Sequence, residues 1–163
     1  MGKLDADLML SHLGGGLGLE DLKLGDDSVC QLVFDQTLLV SIVFEPAQDQ
    51  LNLNCPLAGN TMQQGYSVET LTQMLMANFL SHGCPGCHLS IASDGKPYLH
   101  STVSLFDPSH EALRRSLENL LNQADIWTQR LQQGASALIA SAPGQGSGVQ
   151  QAPHSRGWIS GRV

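Results

Sequence analysis

The residues with the clearest capacity for chemistry are two cysteines and two histidines within one short segment, from His82 to His88. Cys84-Pro85-Gly86-Cys87-His88 matches the C-x-x-C-H pattern of haem attachment, and C-x-x-C also serves redox and zinc sites. Haem attachment requires an exported protein, and a redox cysteine is usually activated at a helix N-terminus, whereas Cys84 follows a predicted helix. Four zinc ligands from so short a segment would be crowded. We therefore favour a plain helix-to-strand turn, with a thiol- or metal-binding module at Cys84, Cys87 and His88 as the alternative.

Other acidic and basic side chains do not form a catalytic pattern. His110-Glu111 lacks the second histidine that an H-E-x-x-H zinc site needs, and the sequence contains no G-x-S-x-G segment. Asp107, Glu111 and Glu118 are better explained by the start and the solvated face of a helix. We therefore expect a protein that is not an enzyme and needs no cofactor.

The charge of the chain limits its partners. The formal net charge is -7, with 8 Lys and Arg residues against 15 Asp and Glu residues. Nucleic acids and anionic membranes require clustered positive charge, so neither is an expected partner. The first residues carry acids where a secretory leader carries positive charge, and no apolar run approaches the roughly 20 residues of a membrane span. We expect a cytoplasmic bacterial protein with reduced thiols, in which Cys30 and Cys55 are small buried apolar residues.

Five strands are predicted from alternating apolar residues. Residues 29–34 and 37–45 are rich in β-branched and aromatic side chains and flank a short polar connection, which predicts a hairpin. Residues 51–55 alternate leucine or cysteine with asparagine, which is typical of a half-buried strand. Residues 87–92 and 97–105 flank a Ser-Asp-Gly turn and predict a second hairpin.

Three helices complete the predicted order αβββαββα, an α+β fold in a single domain of residues 1–134. Residues 4–13 place leucines on one helical face, and the triple glycine that follows is expected to end this helix. Ser67 is the expected N-cap of a central helix over residues 68–81. Pro108 is expected to open a long last helix that ends at Gly134.

Residues 135–163 differ sharply in composition from the rest of the chain. Gly, Ser, Ala, Gln and Pro dominate, and no acidic residue is present. This composition is typical of a disordered tail, because too few large apolar side chains are available to form a core. Trp158 and Ile159 near the end are a candidate docking handle, although an unused tail is the simpler interpretation.

Four segments in the same order resemble a known family, the class I type III secretion chaperones, also called the Tir chaperone family. The segments are Gly-Asp-Asp-Ser-Val-Cys-Gln-Leu-Val-Phe-Asp at residues 25–35, Leu-Asn-Leu-Asn-Cys-Pro-Leu at 51–57, Leu-Met-Ala-Asn-Phe at 75–79, and Asp-Ile-Trp at 125–127 followed by Leu131. The resemblance spans roughly residues 4–133. The long tail and the cysteine-rich turn depart from the family pattern.

This resemblance implies a homodimer whose subunits each have a twisted antiparallel sheet packed by the first and last helices, with the central helix at the two-fold axis. It also implies an ATP-independent chaperone that binds the N-terminal region of a type III secreted effector in extended form and keeps it stable and competent for secretion. Components of the secretion apparatus are further possible partners, and some members of the family act instead on regulatory proteins.

The apolar faces of the second strand suggest where an effector would bind. Residues 38, 40, 42 and 44 face one side, whereas Leu39, Ser41 and Val43 face the other, together with Val33 of the preceding strand. If helices cover the first face, the second is left as an exposed apolar strip, which usually marks a partner surface. Loops or the tail could also cover it, and the nearby leucines could be ordinary core. We assign effector binding to Leu13, Leu17, Leu19, Leu22, Val33, Leu39 and Val43.

The central helix has one apolar stripe that has two interpretations, packing against its own sheet or against a symmetry mate. The flexible Met74 and Met76 side chains suit an adaptable helix interface, and the family resemblance favours the symmetry mate, with Asn78 available to hydrogen-bond across the axis. We assign the dimer interface to Leu71, Met74, Leu75, Asn78, Phe79, Leu89 and Ile91.

Overall fold

The computed structural model describes residues 2–57, 66–106 and 109–133. The elements in these ranges confirm the predicted order αβββαββα. In chain order they are α1 (Lys3–Leu17), β1 (Val29–Phe34), β2 (Leu38–Glu45), β3 (Gln50–Pro56), α2 (Val68–Asn78), β4 (His88–Ile91), β5 (Pro97–Ser104) and α3 (His110–Gln133).

The five strands form one antiparallel sheet in the spatial order β1-β2-β3-β5-β4. A tight hairpin joins β1 to β2, where Asp35 and Gln36 both take left-handed backbone conformations, with φ of 49° and 60°. Because β5 pairs with β3, the second hairpin returns β4 to the outer side of β5. The edges of the described sheet are therefore β1 and β4.

One face of the sheet and the first and last helices enclose the core. Burial alternates along β2 and β3, so that Val40, Ile42, Leu51 and Leu53 are fully buried while their neighbours are partly exposed. Trp127 of α3 is also fully buried in this cluster. Packing of the sheet by α1 and α3, as predicted, buries this face, whereas side chains on the opposite face of β2 and β3 stay partly exposed; we call that face the uncovered face.

The predicted end of the first helix was wrong, because α1 continues through the three glycines to Leu17. Gly18 ends the helix instead, with a left-handed φ of 72° and a backbone N–H that donates to the Gly14 carbonyl. Gly14 is buried where the connector folds back over α1, and a Cβ there would lie 2.7 Å from the Leu19 carbonyl oxygen. The glycine is therefore needed for close packing rather than for ending the helix.

The central helix is also shorter than predicted. Ser67 caps its start as expected, and its hydroxyl accepts a hydrogen bond from the Thr70 N–H at 3.2 Å. The α-helix ends at Asn78, and Phe79–Ser81 form a 3₁₀ turn in which Leu80 has a left-handed φ of 51°.

Four parts of the sequence-based prediction lie outside the described residues, namely Asp107, the opening of α3 at Pro108, its end at Gly134, and the tail of residues 135–163 with Trp158 and Ile159. In the described ranges, no helix combines the length and apolarity needed to cross a membrane.

Candidate functional site

The uncovered face of the sheet carries an apolar strip on β1 and β2, formed by Val29, Val33, Leu39 and Val43. The antiparallel register places Val33 opposite Leu39 and Val29 opposite Val43. Val33 is 65% exposed, and the other three side chains are partly exposed. Cross-strand neighbours on one face lie close enough to form a continuous surface. The predicted split of β2 into a buried and a more exposed face is therefore what the structure has.

A cavity of about 590 Å³ lies between β1 and the connector that follows α1. Leu19 and Leu22 line it from the connector, and Val33 lines it from the strand. Two hydrogen bonds hold the connector against α1: the Leu24 N–H donates to Asp7 Oδ1 at 2.9 Å, and Lys3 Nζ donates to the Gly25 carbonyl at 2.8 Å. These contacts position an apolar wall along the outer side of β1.

A second cavity, of about 290 Å³, lies between α1 and the start of α3. Leu13, Leu17 and Phe34 contribute apolar lining, and the rings of His12 and His110 stack with centroids 3.8 Å apart. Leu13 is only 6% exposed, so it belongs to the core as well as to the cavity wall. Leu17 lies on α1 rather than on the connector, because the helix extends further than predicted.

The rim of the cavity between α1 and α3 carries ion pairs rather than catalytic acids. Arg114 contacts Glu111 at 2.6 Å and also pairs with Glu118, and all three side chains are exposed. Hydrogen bonds from Arg114 and then Arg115 lower the pKa of Glu111 to about 2. A carboxyl with so low a pKa stays ionised and is a poor general acid or base near neutral pH.

The predicted effector-binding residues thus fall into three groups: the apolar strip, the cavity beside the connector, and the cavity between α1 and α3. Val33 belongs to the first two. Sequence reasoning missed His12, Phe34 and His110, which line the cavity between α1 and α3. His110 had been considered only as a zinc ligand, and nothing in the local pattern indicates that the two histidines meet across the fold.

At each edge of the sheet, one residue has its backbone N–H and carbonyl paired by a neighbouring segment. At β4, the Leu89 N–H donates to Asn78 Oδ1 at 2.9 Å, and Asn78 Nδ2 donates to the Leu89 carbonyl at 3.0 Å. The side-chain amide of Asn78 therefore pairs with the edge of its own sheet at Leu89. At β1, the preceding loop pairs the first residue of the strand: the Val29 N–H donates to Asp27 Oδ1 at 3.2 Å, and the Val29 carbonyl accepts from the Gly25 N–H at 2.8 Å.

The outer side of α2 exposes large apolar side chains. Leu75 is 71% exposed and Phe79 is 68% exposed, whereas Met74 is only 4% exposed because it packs toward the sheet. A cavity of about 220 Å³ lies between α2 and β4. It is lined by Leu71, Met74, Leu75, Leu89, Ser90 and Ile91, which include five of the seven residues assigned to the dimer interface.

Cys84 and Cys87 are fully buried, whereas His82 and His88 are exposed. The four candidate ligands therefore do not converge on one point. Among residues 2–57, 66–106 and 109–133, no group of three or more His, Cys, Asp or Glu side chains could hold a metal ion.

A hydrogen-bonded row crosses the uncovered face at β3, β5 and β4. His100 Nδ1 contacts Asn54 Oδ1 at 2.7 Å, and its Nε2 contacts the Ser90 hydroxyl. A nucleophilic serine would also need N–H donors for the oxyanion, but strand N–H groups lie in the plane of the sheet. We interpret this row as structural. Sequence reasoning missed it because the three residues come from separate strands.

Comparison with known proteins adds a family and a fold. The family model of the Tir chaperone protein (CesT) family matches residues 9–128. A search of curated protein sequences found no match.

Several solved structures share the fold. The ExsC–ExsE complex contains a chain that is 21% identical, with a TM-score of 0.69, and the match covers 80% of this chain and 96% of that one. A chain of the HopA1–SchA chaperone–effector complex is 17% identical, with a TM-score of 0.67 and coverage of 78% and 96%. The Yersinia pestis type III secretion chaperone SycH, solved with a fragment of YscM2, gives 19% identity, a TM-score of 0.59 and coverage of 74% and 97%.

Proposed function

The chain belongs to the Tir chaperone protein (CesT) family, the family of type III secretion chaperones, and on that premise we propose that it binds the N-terminal region of a secreted effector in extended form. Bound in this way, the effector segment stays stable and competent for secretion without ATP. The observation that carries the proposal is the family match over residues 9–128, which includes every group of apolar residues described above.

An extended effector segment fits the surfaces along β1. Strand addition gives affinity through backbone hydrogen bonds at an open edge and specificity through alternate side chains in pockets. The six residues of β1 span about 20 Å at about 3.3 Å per residue, and because the N–H and carbonyl of Val29 already bond to Asp27 and Gly25, strand addition uses the part from Gln31 to Phe34. The strip at Val33, Leu39 and Val43 and the cavities lined by Leu19 and Leu17 lie beside that edge. We assign effector binding to this edge and these side chains.

We assign homodimer formation to the exposed side of α2 together with β4. A soluble monomer seldom exposes a large contiguous apolar patch, and a stable interface buries about 1,600 Å² in total. In a two-fold arrangement the same patch meets itself, so Leu75 and Phe79 of one subunit can enter the partner's cavity between α2 and β4. The dimer keeps both β1 edges free, since they lie at the opposite side of each sheet.

The remaining parts of the proposal follow from composition. A cytoplasmic location suits a protein that receives its client before export. Residues 1–134 form the chaperone domain, and residues 135–163 are an appended tail that effector binding does not require. The chain carries out no chemical reaction in this role and needs no cofactor.

A double substitution tests effector binding. Leu39→Asp with Val43→Asp places two carboxylates in the apolar strip, and a desolvated carboxylate opposes binding strongly. We expect this variant to remain a folded dimer but to lose the secreted partner that the unchanged chain captures from a lysate of the source bacterium. Capture is measured by quantitative mass spectrometry, and folding by circular dichroism.

The matched control is Gln129→Glu with Gln132→Glu, which adds the same charge at exposed positions of α3. This control and a chain that ends at Gly134 should both capture the partner normally. Equal capture by the Leu39→Asp, Val43→Asp variant would reject the proposed surface, and its unfolding would show that the strip belongs to the core.

A further inference from the structure

The turn between α2 and β4 holds two thiols in a geometry suited to bonding. The Cys87 N–H donates to the Cys84 carbonyl at 3.1 Å, Pro85 occupies the second position, and Gly86 has a φ of +67° at the third. This is the pattern of a type II turn, which keeps its first and fourth Cα atoms within about 7 Å. Disulfides span Cα separations of about 4.4–6.8 Å, so little backbone movement is needed to join the two sulfurs.

We propose that Cys84 and Cys87 form a reversible intrachain disulfide, with a low-molecular-weight disulfide as the oxidant, which makes this turn an oxidation site. The disulfide closes a short loop that links the helical and strand walls of the cavity between α2 and β4. The site is separate from the effector-binding surfaces, since no residue from Cys84 to Cys87 lines either cavity beside β1.

The environment of the pair distinguishes its two sulfurs. The Cys84 thiol hydrogen-bonds to Cys87, which lowers the pKa of Cys87 and raises that of Cys84, and burial raises both. Arg130 partly opposes the rise at Cys84. Asn119 Nδ2 lies 3.5 Å from the Cys87 sulfur and donates to the Pro85 carbonyl at 2.6 Å. Because the Asn119 amide lies beside the Cys87 sulfur, Cys87 is the attacking thiolate and Asn119 is a positioning residue.

The thiol–disulfide exchange proceeds in two steps. The Cys87 thiolate attacks one sulfur of oxidised glutathione, forms a mixed disulfide and expels one glutathione thiolate. Cys84 then loses its proton, and its thiolate attacks the Cys87 sulfur, which breaks the mixed disulfide and expels the second glutathione thiolate. The two leaving thiolates take up the two protons, and the chain has lost two electrons. Both cysteines are buried while Pro85 and Gly86 between them are exposed, so the oxidant reaches the Cys87 sulfur when the turn opens outward.

The other two cysteines serve as internal controls. Cys30 is on β1 and Cys55 is on β3, and β2 separates those strands. Two strand spacings amount to about 10 Å, which exceeds the Cα separation that a disulfide can span. Burial, followed by the charge of a nearby carboxylate, raises the pKa of both thiols, to about 11 for Cys55. Both should stay reduced while Cys84 and Cys87 react.

The experiment equilibrates the full reduced chain in buffers of reduced and oxidised glutathione at neutral pH. Each sample is quenched with acid and denatured, and its free thiols are then alkylated. The peptides are mapped by mass spectrometry without reduction. We expect the peptide with Cys84 and Cys87 to lose the mass of two hydrogen atoms, while Cys30 and Cys55 are alkylated. Four free thiols at every glutathione ratio, or equal oxidation of Cys30 and Cys55, would overturn the proposal.

Two variants test the geometry. Gly86→Ala is strained at positive φ, and its Cβ would lie 2.9 Å from Asn119 Nδ2. We therefore expect the equilibrium between the Cys84–Cys87 disulfide and the dithiol to shift about tenfold toward the dithiol. Gly95→Ala is the matched control, because Gly95 also has a positive φ, of 79°, but lies in the other hairpin turn. The same shift in both variants would show a general loss of stability rather than an effect on the thiols.

Asn119→Ala tests the positioning role through a readout that stability alone does not change. Loss of the N–H donor removes a hydrogen bond that favours the Cys87 thiolate, so its pKa rises. The pH profile of Cys87 alkylation in the native chain should therefore move to higher pH. An unchanged profile in a folded Asn119→Ala variant would contradict the assignment of Cys87 as the attacking sulfur.

Discussion

At the scale of single residues, His100 links three strands on the uncovered face of the sheet through its contacts with Asn54 and Ser90. Both ring nitrogens have partners, and Tyr98 stacks on the ring with centroids 6.1 Å apart. Burial, followed by the charge of His88, lowers the pKa of His100 from its usual value. The folded chain therefore favours the neutral imidazole, and the network depends on that state.

This depressed pKa gives a prediction for stability against pH. An unfolded histidine takes up a proton near pH 6.5, whereas the folded chain resists protonation of His100 until a lower pH. The contribution of His100 is therefore fully present above about pH 6.5 and is lost as the pH falls toward the folded pKa. Urea unfolding at about pH 7.5 and pH 5.5 measures the loss, which should shrink in His100→Gln.

His82 provides the matched control, since it is exposed and follows the 3₁₀ turn. His82→Gln removes an exposed imidazole and leaves the contacts of His100 in place. If His100→Gln and His82→Gln gave the same pH dependence as the unchanged chain, the role assigned to His100 would be wrong.

At the scale of elements, Gly14 and Gly15 of α1 distinguish the effect of close packing on stability from the effect of helix propensity. Gly14→Ala places a Cβ 2.7 Å from the Leu19 carbonyl oxygen and 2.8 Å from Leu22 Cβ, so the connector must shift. Overpacking of this kind costs about 1–3 kcal/mol of unfolding free energy. Because Leu19 and Leu22 line the cavity beside β1, effector binding should weaken as well.

Gly15→Ala is the counterpart within the same helix. A Cβ at Gly15 meets nothing within 4 Å, so the substitution should stabilise the chain by about 0.5–1 kcal/mol through the better helix propensity of alanine. Denaturant unfolding of both variants checks the difference in sign. Two substitutions with equal effects would mean that the connector does not pack on Gly14.

The exposed side of α2 gives a prediction about assembly. Leu75→Asp places a carboxylate at the proposed interface, and its desolvation should weaken the homodimer by about 100-fold or more. Gln73→Asp introduces the same charge on the same helix, two residues before Leu75 and so on the other side of the helix, and should leave the dimer intact. Light scattering over a dilution series compares the two variants. A Leu75→Asp variant that stays dimeric would exclude this face as the interface.

The elements could be predicted from the sequence because strand and helix periodicities are local properties. The alternation in β2 and β3 and the Ser67 cap are examples, and both are present as expected. The extension of α1 through Gly14 could not be predicted, because a contact with the distant connector outweighs the low helix propensity of glycine. The pairing of Asn78 with Leu89 depends in the same way on how α2 meets β4.

The candidate site could likewise be predicted only where a local pattern determines it. Val33, Leu39 and Val43 share one sheet face because strand alternation determines it. The cavity between His12 and His110 depends instead on how the first and last helices meet, which no local pattern indicates. The effector-binding and dimer assignments themselves remain predictions until binding is measured.

At the scale of the whole molecule, the proposed effector-binding and dimer surfaces occupy opposite edges of one sheet. β1 lies at one edge, and β4 with α2 lies at the other. A dimer formed through α2 and β4 therefore presents two open β1 edges, which a single extended segment could contact in turn. This arrangement accounts for the exposed apolar side chains of Val33 at one edge and of Leu75 and Phe79 at the other.

The most direct measurement is native mass spectrometry of the complex that the full chain captures from a lysate of the source bacterium. We expect two copies of this chain with one secreted protein, retained through its N-terminal region after limited proteolysis. A chain recovered only as a monomer without a protein partner, or bound to a folded domain remote from the partner's N-terminus, would contradict the proposed function.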